Sequence, residues 1–205
     1  MSRAGFACLS LACLALACLV SLSIVPVSGQ SLPRPGAVRE KVFLLRGFTN
    51  VLSPGIDQLA EELKEKNIET EVANHVFALQ LASEAIDDCK SGRVSTVVLV
   101  GHSFGATGAL MMADRMQKAG LHVALIVTLD PVIKGTVPAN VHRLENFYVS
   151  SGVGTTMQPG ENFHGALSNV DLKSNPELGH VSVTTLPSMQ KQVIHDILTS
   201  NTRCD

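Results

Sequence analysis

Short apolar runs alternate with stretches of helical periodicity from Lys41 onward, and no other feature of the 205 residues restricts the fold as much. Val42-Phe43-Leu44-Leu45, ended by Gly47, reads as a strand buried on both faces. Ser53-Pro54 then signals a helix start: the serine can cap orphan amides, and proline at the first helical position has no amide to leave unpaired. Ile56, Leu59, Ala60 and Leu63 follow at 3–4 spacing, while Glu61, Glu62, Lys64 and Glu65 face water. The same pattern predicts further strands over 68–73, 94–100, 122–129, 145–150 and 166–172, and helices over 77–90, 104–119 and 188–199. Parallel strands need long crossover connections, which the intervening helices supply. The expectation is an α/β fold: a single domain with an about six-stranded, mainly parallel sheet, helices on both faces, and residues 94–100 at its centre.

Composition narrows the class. With 45% hydrophobic residues, 17% charged residues and a net charge of −2, the chain is too apolar to be disordered and has no basic face for nucleic acid. Part of the apolar excess is local. Arg3 is the only charge before Arg34, and residues 6–27 are apolar or weakly polar, leading into Ser28-Gly29. Residues 1–29 read as a secretory signal peptide, which predicts a secreted or periplasmic protein with no stable membrane insertion after cleavage. An uncleaved N-terminal membrane anchor is the alternative, since about 20 apolar residues can span a bilayer. Residues 30–40 form a proline-bearing lead-in, and 41–205 the folded domain. Three of the five cysteines leave with the signal, so Cys89 and Cys204 remain. An oxidising compartment permits a disulfide between them, and two free thiols suit the sequence equally well.

Gly101-His102-Ser103-Phe104-Gly105 carries the chemistry. A bare Gly-x-Ser-x-Gly arises by chance in about one of every fifteen chains this long. Here a buried strand precedes it, and a helix rich in small residues (Gly105, Ala106, Gly108, Ala109) follows. Such a strand-to-helix turn is very tight: the glycines keep neighbouring atoms from colliding, and the serine hydroxyl stands exposed at the C-terminal edge of the sheet. The helix N-terminus brings free amides and a positive dipole end to the same place. Near neutral pH a serine needs a base to accept its proton. Of seven histidines, His180 lies in the loop between the last strand and the last helix, which this topology returns to that edge. His102 adjoins the serine, where side chains in a tight turn diverge. His75, His122, His142 and His195 fall in helix or strand segments, and His164 in an irregular loop that could line a pocket.

From about Lys41 to Thr199 the chain resembles an α/β-hydrolase of the small, lid-less type found among minimal bacterial lipases. The resemblance rests on the elbow 101–105, on Leu45-Arg46-Gly47-Phe48, and on Asn169-Val170-Asp171-Leu172 leading to Gly179-His180-Val181. It implies a Ser–acid–His triad in that chain order, an oxyanion hole, and hydrolysis of esters or related acyl compounds. Ser103 is then the expected nucleophile, His180 the base, and the amides of Phe48 and Phe104 the oxyanion donors.

The chain departs from that family in two places. Members usually carry His-Gly where Arg46-Gly47 stands; Arg46 is either a cation favouring an anionic substrate or half of a structural ion pair. Most members also carry the acid just after the strand ending here at Tyr148-Val149-Ser150, but Ser151-Gly152-Val153-Gly154 follows. One strand earlier, Leu129-Asp130-Pro131 resembles the acid position of pancreatic-type lipases. Asp130 is therefore the first candidate and Asp171 the runner-up, with Glu161 and Glu177 behind. Residues 131–144 are too few for a helical lid, and Met157, Phe163 and His164 are expected to wall a shallow apolar pocket. The expected substrate is a small-molecule or lipid carboxylic ester with a short or medium acyl chain. Thioester hydrolysis, acyl transfer by the same residues, and a non-catalytic binding module are the alternatives. No cofactor or metal is implied, because no His-Glu-x-x-His, P-loop or Gly-x-Gly-x-x-Gly occurs.

Overall fold

The computed structural model describes residues 39–48 and 53–205; the signal peptide expected at 1–29 and the lead-in up to residue 38 lie outside them. β1 (Glu40–Arg46) is followed by α1 (Pro54–Glu65), β2 (Glu69–Asn74), a 3-10 turn (His75–Phe77), α2 (Ala78–Lys90), β3 (Thr96–His102), α3 (Phe104–Lys118) and β4 (Val123–Leu129). Then come β5 (Gly135–Val137), β6 (Val141–Tyr148), β7 (Met157–Pro159), β8 (Ala166–Asp171), the single turn α4 (Ser182–Thr185) and α5 (Pro187–Leu198). Six strands form one sheet in the order β2-β1-β3-β4-β6-β8, with every neighbouring pair parallel. β5 and β7 pair as a separate parallel ribbon.

Side chains alternate across a strand, so an unbroken apolar run feeds two cores at once. Val42 and Leu44 of β1, with Val98 and Val100 of β3, belong to the core that α1 and α5 close with Ile56, Leu59, Leu63, Val193 and Ile197. Phe43, Leu45, Val97 and Leu99 belong to the opposite core, where α2 and α3 supply Leu81, Ala85, Ala109, Met112 and Met116. From β1 the chain steps outward to β2 and then returns to the other side of β1 as β3. A crevice forms beyond the strand ends at such a reversal. Here the residues at its lips are Gly47 and Ser103.

Three strands differ from the sequence expectation. β6 begins at Val141 rather than 145, because its start is set by pairing with β4, Val123 opposite Val141, and not by the mixed hydropathy of His142-Arg143. The three-residue strands β5 and β7 are too short to leave a periodic signal.

Cys89 and Cys204 are joined by a disulfide. It fastens the tail across the N-terminal ends of β3 and β4, where the Cys204 N–H donates to the Ser95 carbonyl and the Cys204 carbonyl accepts from His122 N–H. The two cysteines are 115 residues apart, a loop long enough for the cross-link to remove much entropy from the unfolded chain. The double variant Cys89→Ala/Cys204→Ala is expected to lose about 2–5 kcal/mol of unfolding free energy in urea titrations. An unchanged transition would mean that the two backbone bonds alone secure the tail. No helix among the described residues is long and apolar enough to cross a membrane.

Candidate active site

At the end of β3 the backbone turns into α3 through Ser103, at φ 58° and ψ −122°. Positive φ is uncommon away from glycine. Of four such residues among those described, two are asparagines, Asn67 and Asn162; the others are Ser103 and Asp130. Holding such a conformation costs roughly 1–3 kcal/mol and requires surroundings that over-determine it. The elbow glycines supply the room: a Cβ on Gly101 would lie 2.4 Å from the Gly105 carbonyl, and one on Gly105 would lie 2.0 Å from the Leu45 oxygen.

Three side chains from separate parts of the chain converge there. His180 Nε2 is 3.1 Å from Ser103 Oγ, and His180 Nδ1 is 2.7 Å from Asp130 Oδ2. Because Nδ1 faces a carboxylate it carries the ring proton, which leaves Nε2 as an acceptor toward the serine hydroxyl. Asp130 is fully buried at the tip of β4; its second oxygen accepts the Val149 N–H at 2.7 Å, and its own N–H donates to the Phe147 carbonyl. Asp171 is placed elsewhere. At the end of β8 it accepts from the Ser150 hydroxyl and amide and from the Lys173 amide, and the Ser150 hydroxyl bond holds its carboxyl down at about 2. Glu177 is bonded elsewhere too: its carbonyl accepts from the Ser182 hydroxyl and its N–H donates to Asn175 Oδ1.

A cavity of about 540 Å³ opens beside Ser103 and His180, lined by Phe48, Phe104, Val132, Ile133 and Val153. The two phenylalanine rings are 6.2 Å apart, and His75 stacks on Phe104 at 5.6 Å. A serine elbow at the strand reversal of a parallel sheet, facing an imidazole and a strand-tip carboxylate, completes the architecture. The fold is a parallel α/β sheet covered by helices on both faces. No family model and no curated protein matches the chain. Among solved structures, it is similar to a protein of Xanthomonas campestris pv. campestris assigned to the alpha/beta superfamily of hydrolases, with 14% identity over 76% of this chain and 98% of that one and a TM-score of 0.43.

Four expected pocket residues do not line the cavity beside Ser103. Met157 is buried in the core beneath α2 and α3, and Phe163 packs against the same core. His164 lines a different cavity, of about 200 Å³, with His122 and His142. All three lie on the connection that β7 enters, and pairing with β5 draws that connection away from Ser103. Arg46 turns its guanidinium to Asp57 on α1, with Nε 3.2 Å from Oδ2 and Nη2 on Oδ1, so the ion-pair reading applies. Glu161 borders a third cavity, of about 570 Å³ between α3 and β5, which holds none of the three converging side chains. Among the described residues no group of His, Cys, Asp or Glu is arranged to hold a metal ion.

Other residues escaped the sequence reading. Ser53 does not cap α1; its hydroxyl turns inward and lies 2.7 Å from His102 Nδ1. The His102 ring does diverge from Ser103, yet it lies 4.7 Å from the His180 ring, and burial pushes it down to about 4, so it is neutral at ordinary pH. Val132 and Ile133 follow Asp130-Pro131 directly. An apolar pair just beyond a strand-tip Asp-Pro is the signal that would have found them.

Proposed function

We propose that this chain is an exported serine hydrolase that cleaves carboxylic esters through an acyl-enzyme. The observation that carries the reading is the unbroken line from Asp130 Oδ2 through His180 to Ser103 Oγ, with separations of 2.7 and 3.1 Å, beside an apolar cavity. Ser103 Oγ attacks the acyl carbonyl carbon while His180 Nε2 takes its proton, and the C=O electrons move onto oxygen. The Phe48 and Phe104 amides donate to that oxyanion. Such a donor supplies about 3–4 kcal/mol of transition-state stabilisation. The Asp130 carboxylate orients the ring and steadies the imidazolium. On collapse the ester C–O bond breaks, and Nε2 gives its proton to the departing alkoxide, leaving the acyl group on Ser103. Water then adds to the acyl-enzyme with its proton passing to Nε2. The second collapse frees the carboxylic acid and returns the proton to Ser103 Oγ.

With the Arg46 guanidinium held by Asp57, the apolar side chains that face the acyl group are those of Phe48, Phe104, Val132, Ile133 and Val153, while Ser53 and His102 also border the cavity. The apolar side chains suit an uncharged chain of short or medium length. Export is supported by the Cys89–Cys204 disulfide, since such bonds persist in oxidising compartments. A fluorophosphonate is expected to label the folded protein at Ser103, located by peptide mass, and p-nitrophenyl esters to give their highest kcat/KM among short and medium chains. Folded protein that resists the probe would remove the serine-hydrolase reading. Activation by long emulsified chains would replace the esterase assignment with a lipase one.

A further inference from the structure

Three hydrogen bonds run in series beneath the site. Gly47 N–H donates to Ser53 Oγ at 3.3 Å, Ser53 Oγ lies 2.7 Å from His102 Nδ1, and His102 Nε2 lies 2.7 Å from the His180 carbonyl oxygen. Their directions are forced. A carbonyl only accepts, so Nε2 carries the His102 proton; Nδ1 must then accept, and the Ser53 hydroxyl donates to it while its oxygen receives the Gly47 amide. Both side chains are fully buried and every polar atom of each is used, the condition in which a polar chain of this kind rigidifies its surroundings. None of the three bonds involves Ser103 Oγ.

We propose that Ser53 and His102 are positioning residues, a strut that ties the loop bearing the oxyanion donor to the loop bearing the general base. The proposal rests on the serine-hydrolase reading above. One end of the strut is the main chain of His180, whose Nε2 must stay within reach of Ser103 Oγ. The other end is Gly47, which lies against the nucleophile: a Cβ there would be 2.9 Å from Ser103 Cβ. The Gly47 carbonyl is held in turn by Asn74 Nδ2 at 2.9 Å, from the end of β2. In a trans peptide the carbonyl and the following N–H point opposite ways. Asn74 therefore turns the Phe48 N–H away from β2, toward the side of β1 on which β3 and Ser103 lie. The Gly47 N–H is spent on Ser53, so of the described residues at the end of β1 Phe48 is the one whose amide is left to face Ser103. Burial keeps the His102 ring neutral, and its hydrogen bonds to Ser53 and to the His180 carbonyl fix which nitrogen carries the proton.

Variants of the full chain test the strut. His102→Leu removes it, Ser53→Ala cuts its middle link, and His102→Gln keeps an N–H donor for the His180 carbonyl. With p-nitrophenyl butyrate and a fluorophosphonate as probes, folded His102→Leu is expected to lose roughly 10²-fold in kcat and in labelling rate, with KM within about twofold of wild type. Ser53→Ala should lose about tenfold, and His102→Gln should recover most of the His102→Leu loss. Wild-type labelling by His102→Leu would overturn the proposal, as would a folded His102→Gln no faster than the leucine variant. Ring ¹⁵N spectra of the wild type need neither a stable leucine variant nor activity. They are expected to show His102 as the neutral Nε2–H tautomer at pH 7, with the His180 ring resonances moving in Ser53→Ala. A His102 protonated on Nδ1, or His180 resonances indifferent to Ser53→Ala, would sink the strut. A wild type that is inert to the probe yet shows both spectral features would count against the hydrolase reading alone.

Discussion

Ser103→Ala is expected to abolish fluorophosphonate labelling and to lower ester turnover by about 10⁶-fold. The substitution takes away one oxygen and nothing else. Alanine meets the same backbone demand at φ 58°, and the elbow that imposes it is built by Gly101 and Gly105. The apolar cavity and the His180–Asp130 pair also survive, so substrate still binds while no nucleophile faces Nε2. The loss should therefore fall on kcat, with KM little changed, and the variant should unfold like the wild type. Because residues that act as a unit are not additive, Ser103→Ala/His180→Ala should be hardly slower than Ser103→Ala alone. Turnover surviving in the single variant, in protein free of other esterases, would end the assignment of Ser103 as nucleophile.

Asp130→Asn is expected to reduce turnover by about 10⁴-fold, the loss found when a triad carboxylate becomes an amide. The direction of the amide follows from the partners. Val149 N–H needs an acceptor, so the asparagine oxygen faces it and the NH₂ faces His180 Nδ1. A donor opposite Nδ1 selects the tautomer with its proton on Nε2, and that nitrogen can no longer take the proton of Ser103. Asp171→Asn is the control. Its oxygens serve Ser150 and Lys173 at the end of β8, and turnover should stay within about threefold of wild type. A collapse of activity in Asp171→Asn with Asp130→Asn unaffected would transfer the acid role to Asp171.

The residues differ in how visible they were before the fold was known. Ser103 stands in a five-residue turn whose sterics require small neighbours at fixed offsets, and that requirement is written locally. His180 could be placed because a loop between the last strand and the last helix of a parallel sheet returns to the same edge. Asp130 was separable from Asp171 by its place at a strand tip, but its contact with His180 depends on β4 and β6 being neighbours, with Val149 beyond β6 reaching back to the carboxylate. Met157, Phe163 and His164 were misplaced because a long connection was read as loop, when pairing of β7 with β5 buries part of it against α3. Ser53 looked like a helix cap because Ser-Pro before an amphipathic run carries that meaning. Nothing nearby in the chain announces a buried histidine 49 residues away.

What the amino-acid order determined unaided was the parallel α/β architecture and the position of the elbow. Both follow from short-range physics, the period with which apolar side chains recur and the crowding inside a tight turn. The tertiary structure alone decided which carboxylate meets the imidazole, which loops wall the cavity, that Cys89 and Cys204 are bonded, and where the Ser53 hydroxyl points. Each of these is a distance between residues far apart along the chain, and such distances are set by which strands lie side by side and how helices pack across them, which no local pattern encodes.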